Sequence, residues 1–424
     1  MPHPATSHVT DPVTDPASAT LLGLRPATVR LLGSLAVLAL LAAMAFNLSG
    51  VQSLPGLSGA SHSDFDMFHV VAQLALEGRI AEAYDLERMY AAQIEFGGAP
   101  SAMTWTYPPP FDLLLAPLGL ISRDAAYLVF TGGSLLFYLG VLAKLSGRYF
   151  GLVLIAALPA LMMSVRTGQN GPLIAALAGL TCLLLVRGRG GWAGVPLGLM
   201  VLKPHLGVGL GLWGLLTLRW PLVSAAVLTA LAASAAATLA FGPGLWAVFL
   251  GAVGEAGAHL EAGNYRNYRM GSIHATLTSL GVAHGQAAVA QASVALAAIL
   301  AVALAARRLP LRPALAVTLM ATPLFSPYLY DYDLALYGPA LALLLPELDR
   351  AGSRALALPI VVCAWIGGGT GLVQNTRGAE TGDVAEVTFA GLAVLALALL
   401  SLVAMWRVDR VGTDAPPRVE VRTT

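Results

Sequence analysis

Two carboxylates, Asp64 and Asp66, stand just past the first long apolar run of this sequence, in the stretch SHSDFDMFHVVAQLALEGRIAEAYD. A carboxylate held in place can take a proton from a hydroxyl, which is general-base chemistry. The competing reading is local: Ser63 or Asp64 caps the helix that follows, with Asp66 near its positive end. Four other polar groups interrupt apolar surroundings. Arg166-Thr167-Gly168-Gln169-Asn170-Gly171 offers a guanidinium and two amides, suited to sugar hydroxyls or a phosphate, or simply makes a polar inter-helix turn. Lys203-Pro204-His205 puts an ammonium where insertion costs roughly 2.5–3.5 kcal/mol, and a lysine suits a phosphate as a point charge. His205 is either a second donor or a structural residue. Arg266 and Arg269, three apart, are spaced to share a helix face and grip a phosphate, although a solvated loop explains Arg266 as well. Tyr328, Asp331 and Asp333 close the set; the two acids have no neutralising neighbour in sequence and are expected to pair with Lys203 or an arginine, or to meet a substrate. Tyr107, in Trp105-Thr106-Tyr107-Pro108-Pro109-Pro110-Phe111, belongs to a segment that its prolines should keep extended and its aromatics should anchor at headgroup level.

The frame that must position these groups is lipid-soluble. Of 424 residues, 57% are hydrophobic and only 11% charged, which excludes an ordinary soluble domain and implies a polytopic membrane protein. A net charge of +1 with no long basic run excludes nucleic acid as a partner. Cys182 and Cys363 both lie in apolar runs and leave the redox compartment open. The eight histidines are scattered, and HExxH, GxSxG, P-loop and dinucleotide signatures are absent. No cofactor is expected, although Asp64, Asp66, Asp331 and Asp333 converging on a divalent ion remains an open alternative.

Apolar runs at 29–46, 125–143, 150–165, 171–186, 191–202, 205–218, 221–241, 286–306, 313–325, 333–346, 356–372 and 387–406 predict an all-α bundle of about twelve membrane helices, with ten to thirteen the range. Charge selects twelve. With the N-terminus inside, 16 of the 24 basic residues fall on the inner side, mostly in short loops, whereas merging 191–218 into one span would reverse every later loop. The expected organisation is a disordered cytoplasmic tail at 1–28, one membrane domain at 29–406 and a second cytoplasmic tail at 407–424, all in the cytoplasmic (inner) membrane. Every polar motif then lies on the outer side. Residues 64–77 read as an amphipathic helix at that interface, ended by Gly78. One-sided polar clustering and the absence of repeat halves favour an enzyme over a transporter or lipid flippase.

Taken in order, DF-x-x-F, E-G-x-x-x-x-A-Y-D, W-x-YPPP-F, GQN-G, G-x-x-x-x-KP-H and SPY-x-YDYD, spanning about Asp64 to Asp333, resemble glycosyltransferase family 87, the polyprenyl-phosphate-mannose-dependent alpha-mannosyltransferase-like members of the glycosyltransferase-C superfamily. The resemblance implies inverting transfer of a hexose, mannose by default, from a polyprenyl-phosphate donor to a glycolipid or glycan acceptor on the outer face. It carries the base onto Asp64, with Asp66 second, and donor-phosphate contacts onto Lys203, Arg269, Arg166 and His205. Gln169, Asn170, Tyr107, Tyr328, Asp331 and Asp333 become candidates for sugar or acceptor contact. Some members have a histidine after SP where this sequence reads Tyr330-Asp331-Tyr332-Asp333, which leaves open whether that segment acts in catalysis or shapes the pocket. A non-catalytic polysaccharide-assembly subunit is the other reading.

Overall fold

The computed structural model describes residues 20–49, 64–96, 105–262, 265–381 and 387–413, and among these the chain is helical with two isolated β-bridges. Every apolar run read from the sequence is helix. The first is α1 (Pro26–Leu48); the loop after it carries α2 (Asp64–Leu76), α3 (Leu86–Glu95) and α4 (Pro109–Leu115). Next come α5 (Arg123–Tyr127) and α6 (Gly133–Ser146), joined by a π turn, then α7 (Phe150–Thr167), α8 (Gly171–Val186), α9 (Gly190–Leu199), α10 (Val208–Leu216) and α11 (Trp220–Phe241). A second loop holds α12 (Gly244–Glu261) and α13 (Ile273–Ser279). The chain ends with α14 (His284–Arg308), α15 (Leu311–Ala321), α16 (Tyr337–Arg350), α17 (Ala357–Thr381) and α18 (Ala390–Thr413). Among the described residues, five helical segments are long and apolar enough to cross a membrane, and five more are apolar but shorter. Helix reaches into both segments read as tails, since α1 begins at Pro26 and α18 runs to Thr413; residues 1–19 and 414–424 lie outside the described residues.

Small residues set the helix spacing. A Cβ on Gly33 of α1 would come within 3.0 Å of the Gly151 Cα of α7, and side chains at Gly194 and Gly198 of α9 would collide with the α11 backbone. Lipid tails offer no hydrophobic gain for helix association, so such close backbone packing supplies it through dispersion contacts.

Two local expectations change. The α2 helix is not laid on a surface: eight of its thirteen residues, including Asp64, Phe65 and Phe68, are buried. Its sequence is apolar on most sides, and α4 with the 3-10 turn after it covers the faces that water would otherwise meet. The prolines of the YPPPF motif also do not stay extended. Residues 105–108 are extended, but Pro109 and Pro110 open α4, where a missing N–H costs nothing and the fixed φ favours the first turn.

Candidate active site

Aromatic packing fixes α2 before any charge is considered. The Phe68 ring meets Trp105, Tyr107, Phe111 and Phe130 edge-on at 5.3–5.7 Å, and Phe65 meets Tyr127 edge-on at 5.5 Å. Tyr107 in turn stacks on Phe111 at 4.4 Å. Behind this cluster, fully buried Asp112 accepts from the Trp105 indole N–H (3.0 Å) and stands 2.6 Å from the Tyr84 hydroxyl. The Tyr84 hydroxyl also lies 2.8 Å from the Tyr107 carbonyl. One hydroxyl proton cannot serve two acceptors, so a proton on Asp112 completes the chain: carboxyl to tyrosine oxygen, tyrosine to carbonyl. Burial pushes the Asp112 carboxyl up to about 8, against its contacts with Tyr84 and Trp105, which lower it.

The turn between α7 and α8 is pressed against α2. Gly168 ends α7 at φ +71°, and any side chain there would overlap Phe65. Glycine is therefore required twice over, for the left-handed backbone and for the contact. The result places Gln169 beside Asp64: its Nε2 donates to Asp64 Oδ2 at 2.9 Å, while its Oε1 accepts from the Tyr107 hydroxyl at 3.1 Å. Asn170 is wholly buried, and among the described residues neither side-chain amide atom has a partner at hydrogen-bond geometry. A buried amide left this way costs about 1–3 kcal/mol, the signature of a group kept for something else.

A second junction delivers the cations. Met270 and Tyr330 form an antiparallel bridge, with Gly271 N–H donating to the Leu329 carbonyl at 2.8 Å. Arg269 and Asp331, one residue beyond on either side, are thereby brought together. The guanidinium stands 3.4 Å from Asp331 Oδ1 and 3.4 Å from Asp64 Oδ2, bridging two buried carboxylates. Burial pushes the Asp331 carboxyl above its ordinary range, opposed by Arg269. Asp64 Oδ2 thus receives Gln169 and Arg269, whereas Oδ1 accepts no hydrogen bond among the described residues.

Lys203 lies between two short 3-10 turns where Pro204 breaks the α9–α10 rod. Its ammonium pairs with Asp333 Oδ1 at 2.5 Å, with the Asp333 side chain fully covered. The ring of Tyr332 connects the two cations, 4.7 Å from Lys203 Nζ and 5.6 Å from the Arg269 guanidinium carbon, with Tyr330 stacked on it at 5.3 Å. His205, one residue past Pro204, keeps a buried Nε2 without a partner.

Asp64, Tyr107, Gln169, Arg269, Asp331, Lys203 and Asp333 are thus joined by direct contacts, with Asn170 next in chain to Gln169. Other candidates stand apart. Asp66 pairs with Arg123 at 2.6 Å. The Tyr328 hydroxyl donates to the Ala256 carbonyl at 3.1 Å, and Arg166 is half-buried in the last turn of α7. Arg266 donates to the Tyr268 hydroxyl rather than acting beside Arg269, because 267–269 is one 3-10 turn and not a helix face. The four aspartates do not converge, and among the described residues no group of three or more His, Cys, Asp or Glu is placed to hold a metal ion. Sequence reading missed Tyr332, Asp112 and Gly371; a side chain on Gly371 of α17 would overlap the Asp331 carboxylate. For Asp112 the signal was present, an acid directly after an apolar proline–phenylalanine run. For Gly371 only the GGGTG composition of a membrane helix hinted at a close approach.

Comparison with known proteins adds the chemistry's class. The model of glycosyltransferase family 87 matches residues 105–327, just over half of the chain and including the Gln169, Lys203 and Arg269 motifs. No curated protein and no solved structure matches the chain.

Proposed function

The chain belongs to glycosyltransferase family 87, and from that premise we propose that it moves a hexose, mannose by family default, from a polyprenyl-phosphate donor to an acceptor hydroxyl with inversion. Asp64 is the base. The observation that carries this is the asymmetry of its carboxylate: Oδ2 is held by Gln169 and Arg269, and Oδ1 is left for a proton. As the acceptor oxygen bonds to the anomeric carbon, its proton passes to Oδ1. The bond from that carbon to the phosphate oxygen breaks, and its electron pair leaves on the phosphate. Arg269 and Lys203 meet the developing charge in a water-poor site, where preorganised cations act most strongly. The Arg269 contacts of 3.4–3.5 Å exceed the ~2.7–2.9 Å of a strong charge-assisted bond, so the guanidinium can turn to a phosphate at small cost.

Gln169, Asn170 and Tyr107 serve the sugar or acceptor hydroxyls in this reading, and His205 offers the phosphate a further donor. Two cationic side chains do the work a divalent ion would otherwise do, so the proposal uses no metal. We place the protein in the cytoplasmic membrane with twelve crossings, both ends inside and the site outside. A reporter fused after residue 260 should then read outside, and a cytoplasmic signal there overturns that topology.

The chemical test is transfer by purified protein from radiolabelled polyprenyl-phospho-mannose to candidate glycolipid acceptors. General-base catalysis contributes about 10²–10⁴-fold, so Asp64→Asn should lower transfer at least ~100-fold with the fold intact. Undiminished transfer in that variant removes Asp64 as the base.

A further inference from the structure

Opposite the site, at the N-terminal end of α1, a groove of about 1310 Å³ opens between α1 and α7. At its far end α1 is tied to the site's side of the molecule: Asn47 donates to the carbonyls of Val165 and Arg166, directly before the Gln169 turn. The 22 steps from Arg25 to Asn47 rise about 33 Å at ~1.5 Å each, close to the ~30 Å of a bilayer's hydrocarbon core. Groove and site therefore belong to opposite membrane faces.

The groove has the form of a lipid. Three arginines, Arg25, Arg30 and Arg148, line it, and among the described residues no acid does. Arg25 and Arg30 are exposed and make no ion pair among the described residues. Arg148 stacks on Tyr149 at 5.3 Å and donates to that hydroxyl at 3.3 Å, its other donors meeting no acceptor among the described residues. Asp349, which the adjoining Tyr149 hydroxyl contacts, is also taken by Arg354 and the Leu22 N–H. Beyond the arginines the wall turns apolar, through Phe150, Val37 and Leu38. Leu38 stands thirteen positions beyond Arg25, about 20 Å of helix, enough for a headgroup followed by most of a ~15 Å half-bilayer. Leu31, Leu35 and Leu38 are exposed along this helix, as expected where it borders lipid. The volume also exceeds the ~300–1,000 Å³ of an ordinary small-molecule pocket.

We propose that this groove is a binding site for one anionic phospholipid of the leaflet opposite the active site, its phosphate held by Arg25, Arg30 and Arg148 and an acyl chain laid along α1. Basic pockets between membrane helices select anionic headgroups by charge, and a headgroup drawn partly out of water strengthens each contact. The site owes nothing to the identity of the transferred sugar.

The test uses the full chain purified in mixed micelles holding equal phosphatidylglycerol and phosphatidylcholine, with retained lipid counted by native mass spectrometry. Wild type should retain one phosphatidylglycerol in at least ~10-fold preference over phosphatidylcholine. Arg25→Gln/Arg30→Gln/Arg148→Gln should lose that preference, whereas Arg187→Gln/Arg189→Gln/Arg307→Gln, with equal charge removed outside the groove, should keep it. Equal retention of both lipids by wild type overturns the proposal without reference to any variant. So does equal loss in the two triple variants, which would mean unspecific charge attraction. Displacement of the lipid by millimolar inorganic phosphate, or cross-linking of residues 1–19 into the groove, would assign it to a different occupant and equally overturn the proposal.

Discussion

Separating Lys203 from Asp333 asks whether that pair is a structural brace or part of the chemistry. The ammonium and carboxylate are 2.5 Å apart, with 8% and 0% of their side chains exposed. In Lys203→Met the Asp333 carboxylate stays buried without its partner, and removing one member of a buried pair costs about 3–5 kcal/mol. Asp333→Asn should cost less, because the ammonium keeps the Tyr332 ring at 4.7 Å and the Tyr107 ring at 5.8 Å, contacts worth about 1–2 kcal/mol together when desolvated. Lys203→Met combined with Asp333→Leu removes both charges and fills the volume, so stability should recover to within roughly 1–2 kcal/mol of wild type, as replaced buried pairs do elsewhere. Transfer should not recover, because a methionine cannot meet the donor phosphate. Thermal unfolding of the detergent-purified variants, read beside the transfer rate from labelled donor, distinguishes the two. Wild-type transfer in the double variant would make Lys203 a brace alone. A double-variant destabilisation equal to the sum of Lys203→Met alone and Asp333→Leu alone would show that the two charges are not coupled at all.

The glycine behind Asp331 makes a sharper geometric prediction. Gly371→Ala drives a methyl into the Asp331 carboxylate and should displace it from Arg269, costing ~1–3 kcal/mol as overpacking and lowering kcat more than it raises KM. Gly369→Ala, whose new Cβ would meet Pro159 at an ordinary 3.5 Å, is the control, and equal behaviour of the two glycines would refute the account. Asp112 predicts a pH effect. Its carboxyl titrates near 8 in the folded chain against 3.8 ordinarily, so the folded state holds a proton that the unfolded chain has lost between those values. Stability from this group is complete below about 4 and falls as pH rises toward 8, at ~1.4 kcal/mol per pH unit. In Asp112→Asn the amide can donate to Tyr84 and accept from Trp105 as the protonated acid does, so the thermal midpoint between pH 6 and 8 should flatten with little loss at pH 6. An unchanged slope would mean that Asp112 is ionised.

Hydropathy made the helices legible because lipid permits few alternatives: a backbone without water must satisfy its own hydrogen bonds, and apolar runs become helices wherever they fall. The same scarcity of water made Lys203, Asp331 and Asp333 legible, since charges in apolar stretches must find partners, and each did. Which partner each finds is a tertiary fact. Asp64 and Asp66 share a helix end and a residue type, yet one faces Gln169 and Arg269 while the other faces Arg123, 57 residues away. Periodicity could not separate them, because α2 is apolar on most sides and reveals no single inward face. Tyr328 was indistinguishable in sequence from Tyr107 for a related reason: a polar group beside a turn has the same hydrogen-bonding capacity whether it meets a substrate or, as Tyr328 does, a neighbouring carbonyl. Gln169 is singled out by Gly168, one residue earlier, whose missing side chain lets Phe65 approach and with it Asp64. The information that selects the site's amide is therefore carried by a residue with no functional group.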